Sequence, residues 1–489
     1  MKKLLIVLLV ACNHLSAQNK IAEKFASTIT PADLKTKLSV IASADMEGRE
    51  TATEGQRKAA TYIEDYFKKL KLLPGDSGKY QMSFPVFEDS VENTSMSVNR
   101  KSFQLVNDFA PSSGFPNGNW QLNDIVFNGA GTKDSTQNND TISTKDKWVM
   151  IIPAVTTTSS VRMLSQTIRL ANESAAAGLL IVTNDFPYKR FTAKGRMYLP
   201  GSTNKILPVM FISKKMAAEI LQTDTSNINA SLQQKTYAAN IQISLKKSTN
   251  NLQSTNVIGV LPGTDKKSEY VFVTGHYDHL GKRDSVIYYG ADDDGSGTTS
   301  VLQIAQAFAA ARDQGYSPKR TMVFMTVSGE EKGLWGSEYY TNHPVFPLDS
   351  TTVDLNIDMV GRIDPSRNYG DSLNYVYTIG EDKLSSDLMK IEDSINTTYS
   401  HLELDRKFND PKDPNRFYYR SDHYNFASKG VPIIFYFNGT HADYHKPTDT
   451  VDKINFDLMT KRVKLVFYTA WEMANRDAML KRDIPLTQK

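Results

Sequence analysis

The feature that most constrains the fold of this chain is the stretch from Val271 to Gly297, in which an apolar run leads to a histidine and then to three aspartates. The run from Tyr270 to Thr274 is rich in β-branched residues, which predicts a buried strand. His276 lies at the carboxyl end of this predicted strand, where open α/β sheets bind their ligands. Three adjacent carboxylates at a strand–helix junction repel each other, and a cation bound by His and Asp, such as zinc, would remove that conflict. The alternative at this point is a histidine in a turn followed by a solvated acidic loop.

Composition sets the broad class. At 489 residues the chain is too long for one ordinary core, so two or three domains are expected. Its 40% hydrophobic and 23% charged residues are typical of a folded globular protein. A net charge of +3 is nearly neutral at this size and indicates neither nucleic acid nor an anionic membrane as a partner. Beyond the N-terminus, no stretch holds the roughly 18 continuous apolar residues that a transmembrane helix needs.

Residues 1–17 predict an export signal, because two lysines precede the apolar run from Leu4 to Ala11. Two cleavage sites compete. A lipobox-like segment would leave Cys12 as a lipid-anchored first residue, whereas the segment ending at Ala17 fits ordinary signal-peptidase cleavage. We therefore expect a protein exported from a bacterial cell, as a periplasmic protein, an outer-membrane-anchored lipoprotein or a secreted protein. Cys12 is the single cysteine, so any metal must be held by His, Asp and Glu.

The rest of the chain predicts one main domain with an insert. Residues 18–105, largely helical at first, form the first part of the main domain, and the turn at 44–50 within them has the form of a plain helix connector. Residues 106–248 are predicted as an inserted, β-rich, non-catalytic domain because a turn-rich segment is followed there by short strands. Residues 249–489 alternate strands and helices, which predicts a doubly wound α/β domain.

Every predicted strand of the last region leads to an acid or to a histidine. The candidate residues at these ends are His276, Asp293, Glu330, Glu331, Asp358 and His445. Taken singly, each has a simple alternative, since an acid can favour a helix N-terminus or cap a turn, and a histidine can be satisfied within its loop. The carboxyl ends of parallel strands meet at one edge of a sheet, so together these residues indicate one site.

Five motifs in this order, GHYDHLG, GADDDGSG, SGEEKGLWGSEYY, NIDMVGR and DYHKPTDT, resemble the M28-type zinc aminopeptidases, a family of co-catalytic metallopeptidases. The segments LSVIASADMEGRETATEGQRKAATYIEDYF and NVIGVLPGT also fit, so the resemblance covers nearly the whole chain after the signal. Residues 147–221 resemble the protease-associated insert that many members carry. The implied fold is α/β, with a doubly wound, mixed but mostly parallel sheet flanked by helices and a β-rich insert of the protease-associated type.

The resemblance implies two zinc ions per chain. It assigns His276 and Asp358 to one ion and Glu331 and His445 to the other, with Asp293 bridging both. Two zinc ions about 3.5–4 Å apart can share one water, lower its pKa and clamp the tetrahedral intermediate of amide hydrolysis. Cobalt or manganese could substitute at a site of this type.

The resemblance also implies roles around the metals. Glu330 would be the general base, since it adjoins a ligand without being one. Tyr444 would bind the substrate carbonyl or the developing oxyanion. Asp278 would orient the first histidine ligand, and Asp449 is a possible partner of the second.

The implied activity is removal of N-terminal residues from peptide substrates through a metal-bridging hydroxide. The alternative is a carboxypeptidase or dipeptidase in which Arg420 would grip a substrate carboxylate, although Arg420 could equally form a structural pair with Asp422. An inactive receptor-like relative is disfavoured because all five ligands and the base are present, and a one-zinc cyclase of the same fold is a further alternative. His279 and His441 have no role in the pattern and are expected to be bystanders.

Overall fold

The computed structural model describes residues 20–130, 143–153, 160–189, 191–200 and 207–486. The predicted export signal, including Cys12, lies outside these residues. The chain divides into two compact units: one runs up to Phe84 and resumes at Gln253, and the other is Pro85–Leu252. Within the described ranges, every helix is too short or too polar to cross a membrane.

The helices with described bounds are α1 (Pro31–Ile41), α2 (Glu54–Lys69), α3 (Ser160–Glu173), α4 (Lys214–Leu221), α5 (Gly297–Asp313), α6 (Trp335–Asn342), α7 (Leu388–Ile395), α8 (His423–Ala427) and α9 (Phe456–Asn475). The strands are β1 (Leu73–Pro74), β2 (Gln81–Val98), β3 (Lys101–Phe103), β4 (Phe109–Pro111), β5 (Gly118–Phe127), β6 (Trp148–Ile151), β7 (Gly178–Thr183), β8 (Lys194–Tyr198), β9 (Val209–Ser213), β10 (Lys235–Leu261), β11 (Lys266–His276), β12 (Lys282–Arg283), β13 (Val286–Ile287), β14 (Arg320–Val327), β15 (Thr351–Ile357), β16 (Tyr375–Ile379), β17 (Glu403–Asp405) and β18 (Ile433–Phe437).

The first unit is built on a sheet in the order β17–β16–β18–β15–β11–β14–β10. Its four central strands, β18, β15, β11 and β14, are mutually parallel. Antiparallel pairs lie towards the two edges, between β16 and β18 and between β10 and β14. The predicted α/β fold with a mixed, mostly parallel sheet is therefore confirmed.

Both faces of this sheet are covered. Along β11, Val271 and Val273 point into a core that contains apolar residues of α1, α2, α5 and α9. Phe272 points to the opposite face, where it packs in a cluster with Tyr340 of α6 and Phe426 of α8. This alternation is the two-residue period of a strand, and burial on both sides explains why the central strands are almost continuously apolar.

Helix starts in this unit carry the expected capping groups. The Thr30 side chain accepts a hydrogen bond from the backbone N–H of Asp33, 3.1 Å away, and Pro31 occupies the first helical position of α1. The Asn455 side chain caps α9 in the same way, accepting from the N–H of Leu458 at 3.0 Å. Such caps fix where these two helices begin.

The second unit has its own hydrophobic core. Strands β5, β6, β7 and β9 are parallel neighbours, and β4 and the first part of β10 pair antiparallel to β9 and β5. The unit begins at Pro85 rather than at residue 106, because Met96, Val98 and Phe103 of β2 and β3 belong to its hydrophobic core. That this unit is a protease-associated domain stays a prediction.

Candidate metal centre

The candidate ligands follow the ends of the parallel strands. His276 is the last residue of β11, Glu330 and Glu331 lie three and four residues beyond β14, and Asp358 directly follows β15. In parallel strands these ends lie at the same edge of the sheet. The structure brings the four side chains together at that edge.

His276 is the centre of a first group of donors. Its Nε2 atom lies 3.3 Å from Oδ1 of Asp293, 3.6 Å from Oδ1 of Asp358 and 3.9 Å from Oε2 of Glu330. The imidazole is buried, with 1% of its surface exposed. His276, Glu330 and Asp358 thus present a nitrogen and two carboxylate oxygens to one small volume.

His445 and Glu331 form a second group around the other oxygen of Asp293. Nε2 of His445 lies 3.1 Å from Oδ2 of Asp293 and 3.2 Å from Oε2 of Glu331. Asp293 therefore faces His276 with one oxygen and His445 with the other. This is the arrangement needed for a carboxylate that bridges two cations.

The three consecutive aspartates have different surroundings. Asp292 accepts a hydrogen bond from the N–H of Gly361 at 2.7 Å, and its carboxylate lies 3.1 Å from Nε2 of His441. Asp294 accepts from three backbone N–H groups at 2.7–3.2 Å. Asp293 is the member of the run that faces both histidines, as the motif implied. His441, expected to be a bystander, anchors the first aspartate.

Asp278 acts on two neighbours. Its carboxylate accepts hydrogen bonds from the Thr51 hydroxyl at 2.7 Å and from the Glu330 N–H at 3.2 Å. Nδ1 of His276 lies 3.1 Å from the carbonyl oxygen of Asp278 but 3.7 Å from its carboxylate. The main chain of Asp278 thus contacts the ring of His276, and its side chain holds the backbone of Glu330.

Asp449 lies beneath the acidic loop. Its Oδ2 atom accepts hydrogen bonds from the N–H groups of Asp292 and Asp293, at 3.0 and 3.1 Å. The structure therefore places this carboxylate on the backbone that carries Asp293, whereas the sequence suggested it as a partner of His445. Its effect is to fix the direction of Asp293.

The turn at 44–50 contributes to the site through Arg49. The guanidinium is fully buried and donates to four backbone carbonyl oxygens, those of Ile41, Tyr277, Tyr289 and Gly290, at 2.7–3.0 Å. These carbonyls belong to the end of α1 and to the segment between β11 and the acidic run. The segment is therefore more than the plain helix connector that its sequence suggested.

His279 was expected to be a bystander, yet the structure places it at the site. Its side chain is fully buried, and Nδ1 lies 2.8 Å from Oε1 of Glu331 and 4.0 Å from Oδ2 of Asp293. The signal in the sequence is weak: a histidine three residues after His276 in the same motif. The family pattern gives this histidine no role, so the motif alone does not single it out.

The charges of the site suit a cation. Burial raises the pKa of Asp293, but contacts with His276 and His445 overcome this and bring it well below its ordinary value. Burial and Asp293 raise the pKa of Glu331, but His279 and His445 lower it to about 2. Both carboxylates are therefore anionic at neutral pH. Burial raises the pKa of Glu330 well above its ordinary value, and neighbouring carboxylates add to the effect of burial although His276 opposes it.

The donor atoms fit zinc. Among the described residues, Nε2 of His276 and Oδ2 of Asp293 are buried without a hydrogen-bond partner. Such atoms cost free energy unless something satisfies them, and both belong to the candidate ligands. Imidazole nitrogens and carboxylate oxygens are established zinc ligands. A pair of zinc ions would satisfy these atoms.

A small cavity of about 30 Å³ opens beside the donors. It is lined by Asp293, Glu330, Asp358, Met359, Phe417, Arg420, Phe435, Phe437, Thr440 and Tyr444. Nη2 of Arg420 lies 3.4 Å from the Tyr444 hydroxyl, and its guanidinium lies over the ring of Phe417 at 4.7 Å. The Tyr444 ring stacks on His445 with centroids 3.8 Å apart. One wall is thus acidic and another is apolar.

Residues 256–470 match the sequence model of Peptidase family M28. This chain contains an M28 peptidase domain. The match confirms the family predicted from the five motifs and, for this domain, the predicted class of metallopeptidase.

Several curated relatives of this chain are fungal. A probable zinc metalloprotease of Pyrenophora tritici-repentis is 28% identical over 262 residues, which cover 46% of this chain and 52% of the relative. A probable leucine aminopeptidase of Trichophyton verrucosum is 27% identical over 225 residues, covering 45% of this chain and 57% of the relative. The chain thus spans little more than half the length of these relatives.

Solved structures share the fold. An aminopeptidase from Aneurinibacillus sp. strain AM-1 is 18% identical, covers 96% of this chain and 100% of its own, and superposes with a TM-score of 0.57. BSAP, a zinc aminopeptidase from Bacillus subtilis, is 21% identical, covers 92% of this chain and 96% of its own, and gives a TM-score of 0.56. At these identities the likeness establishes the fold alone.

The predicted location is corrected by the same comparisons. Export from a bacterial cell, whether to the periplasm, to the outer membrane or to the medium, was expected from the first residues. The curated relatives are instead fungal proteins. One of them, from Verticillium alfalfae, is named a vacuolar membrane protease and is 40% identical over 85 residues, 17% of this chain and 8% of the relative. The prediction of bacterial export is therefore wrong.

Proposed function

We propose that this protein is a zinc aminopeptidase that binds two zinc ions and removes N-terminal residues from peptides. The observation that carries the proposal is the position of Asp293, whose two oxygens face the two histidines separately. A bridging carboxylate between two N/O donor groups is what a pair of co-catalytic ions requires. The names of the relatives, a leucine aminopeptidase and zinc aminopeptidases among them, favour the N-terminal direction.

We assign the ligands as the motifs imply. His276 and Asp358 would hold one ion, Glu331 and His445 the other, and Asp293 both. With two zinc ions held by these residues, the pKa of a bound water would be lowered and a peptide carbonyl would be polarised.

Glu330 is our candidate for the general base and acid. One of its carboxylate oxygens accepts a proton from the attacking water and then delivers that proton to the nitrogen of the leaving amine. Burial and neighbouring acids raise its pKa, which makes the carboxylate a stronger base. The hydrogen bond from its N–H to Asp278 fixes the backbone from which it reaches the cavity.

Tyr444 is our candidate donor to the substrate. Burial raises the pKa of its hydroxyl, and the nearby acids Asp293 and Glu330 raise it further, so the group stays protonated and can donate. It would donate to the carbonyl oxygen of the scissile bond as negative charge develops there. Arg420, 3.4 Å from the hydroxyl, helps to fix its position.

The apolar wall of the cavity suggests the type of N-terminal residue. Met359, Phe417, Phe435 and Phe437 belong to one buried hydrophobic cluster and line the cavity next to the donors. A wall of this kind favours an apolar side chain, because it offers that side chain contacts without desolvating polar groups.

A carboxypeptidase is the second candidate. Arg420 is exposed at the cavity and could bind a C-terminal carboxylate. Its alternative as a structural partner of Asp422 finds no support, since Asp422 is buried and accepts a hydrogen bond from the Ser337 hydroxyl.

The test uses the full chain loaded with zinc and two peptide sets, one acetylated at the N-terminus and one amidated at the C-terminus. Products are read by mass. An aminopeptidase cleaves the amidated set one residue at a time from the N-terminus, leaves the acetylated set intact and stops when zinc is chelated. Cleavage of the acetylated set alone would move the assignment to the carboxypeptidase. Cleavage of neither set by protein that holds two zinc ions would refute both candidates.

A further inference from the structure

We propose that His279 is a positioning residue that contacts Oε1 of Glu331 and thereby leaves Oε2 of Glu331 directed at the second metal ion. The inference rests on the proposed function, since it presupposes two ions. It adds a residue that lies outside the five assigned ligands and the base.

The position of His279 is tightly fixed. Its side chain is fully buried, and its backbone N–H donates to the carbonyl oxygen of Arg49 at 3.2 Å. Gly290 packs against the ring closely enough that a Cβ at that position would overlap it. The ring cannot move away from the site without displacing Arg49 or the loop before the acidic run.

Glu331 divides its two oxygens between two histidines. Oε1 lies 2.8 Å from Nδ1 of His279, and Oε2 lies 3.2 Å from Nε2 of His445. Among the described residues, neither Nδ1 of His279 nor Oε1 of Glu331 has a partner with regular hydrogen-bond geometry. The two atoms approach each other to 2.8 Å, off the ideal direction of a ring N–H.

His279, Asp293 and Glu331 lie close enough together to hold an ion, but the individual distances favour a positioning role for His279. Two donors of one tetrahedral zinc ion, each about 2.1 Å from the metal, lie roughly 3.4 Å apart. The pairs that His445 makes with Asp293 and Glu331, at 3.1 and 3.2 Å, are close to this spacing. His279 is 2.8 Å from Glu331, the length of a charge-assisted hydrogen bond, and 4.0 Å from Asp293.

A contact of this kind has a specific effect on the metal. A carboxylate held through one oxygen by a buried N–H cannot rotate, so its other oxygen stays aimed at the ion. Loss of such a support typically weakens metal affinity by about 10–100-fold while the ligand itself remains. Loss of a ligand instead removes the ion.

The experiment measures zinc binding rather than turnover. His279→Phe removes the nitrogens and keeps the ring volume, and His279→Gln restores a donor. His445→Phe removes a ligand, and His343→Phe changes an exposed histidine that lies outside the site. Zinc stoichiometry at saturation is counted by mass spectrometry of the metal, and the dissociation constant of the weaker ion is measured by competition with a chelator.

We expect His279→Phe to bind two ions at saturation with the weaker ion held about 10–100-fold less tightly. His279→Gln should recover most of that loss, His343→Phe should match the wild type, and His445→Phe should saturate at one ion. If His279→Phe does not fold, His279→Ala serves in its place.

Two results would overturn the proposal. An unchanged dissociation constant in His279→Phe would make the residue a bystander, and saturation at one ion, as in His445→Phe, would make it a ligand. In both cases the wild type still holds two ions and the proposed function stands. A wild type that saturates below two ions would instead refute the two-metal function itself.

Discussion

Replacing Arg49 by methionine should destabilise the first unit strongly. The buried guanidinium donates to four carbonyl oxygens at 2.7–3.0 Å. Hydrogen bonds from a charged donor contribute about 1.5–3 kcal/mol each, so the four together have an upper bound of roughly 6–12 kcal/mol. Burying the guanidinium costs several kcal/mol, which methionine regains. The net loss expected for Arg49→Met is therefore about 3–5 kcal/mol.

The assay is urea unfolding followed by circular dichroism, with and without zinc. For an m-value of about 2–3 kcal/mol/M, this loss moves the midpoint of the first unit down by roughly 1–2.5 M. Arg57→Met is the matched control, because Arg57 is 57% exposed and pairs with Glu54 on the surface. Such a pair contributes about 0–1 kcal/mol.

Zinc affinity is a second readout of the role of Arg49. Two of its acceptors belong to Tyr289 and Gly290, directly before the acidic run, so its loss should also weaken zinc binding. A midpoint within about 0.3 M of the Arg57→Met control, with unchanged zinc affinity, would refute the reasoning, because the four hydrogen bonds would then contribute nothing beyond a surface pair.

Three further predictions concern backbone, chemistry and pH. Gly48 has φ +70° and a Cβ there would overlap the carbonyl oxygen of Gly281, so Gly48→Ala should cost about 3 kcal/mol of unfolding free energy, measured in urea. Glu330→Gln should keep both zinc ions and lower kcat/KM by about 10²–10⁴-fold in the peptide assay. Burial lowers the pKa of His423 to about 3, whereas it is about 6.5 when unfolded. Between these values the unfolded chain binds the additional proton, so the free energy of unfolding falls with falling pH, by up to about 1.4 kcal/mol per pH unit; His423→Phe should flatten this slope in pH-dependent urea unfolding.

Each of these has a control. Gly78→Ala also has a positive φ, +86°, but no atom lies within 4 Å of its Cβ, so it should cost only about 1 kcal/mol, and an equal cost at the two glycines would contradict the steric argument. Loss of zinc from Glu330→Gln would make Glu330 a ligand rather than the base. An unchanged acid slope in His423→Phe would mean that other groups control the acid sensitivity.

Much of the arrangement at the sheet edge follows from the sequence. The apolar runs of β11 and β14 predict strands because both faces of these strands are buried. The parallel topology then brings the residues that follow them to one edge of the sheet. His276, Glu331 and Asp358 are placed by this rule. The choice of Asp293 among three aspartates came from the family pattern, and its surroundings agree with that choice.

The residues that hold the backbone around the candidate ligands could not be predicted from strand ends or motifs. Arg49 lies more than 200 positions from three of the four carbonyls it binds, and no local pattern encodes such a contact. Asp449 is similar, since the resemblance suggested it as a possible partner of His445, whereas its hydrogen bonds go to the loop at 292–293. The second unit begins at residue 85, inside the continuous strand β2, where no turn marks the boundary in the sequence.

The sequence by itself determined the sheet, its parallel centre and the residues at its edge. The two-residue period of a strand and the alternation of strands with helices can both be read along the chain. Only the tertiary structure decided which oxygen faces which histidine, which residues hold the ligands and that His279 reaches Glu331. Those outcomes depend on side-chain directions fixed to a few tenths of an ångström by packing from distant segments. Such packing is a property of the folded whole, not of any motif.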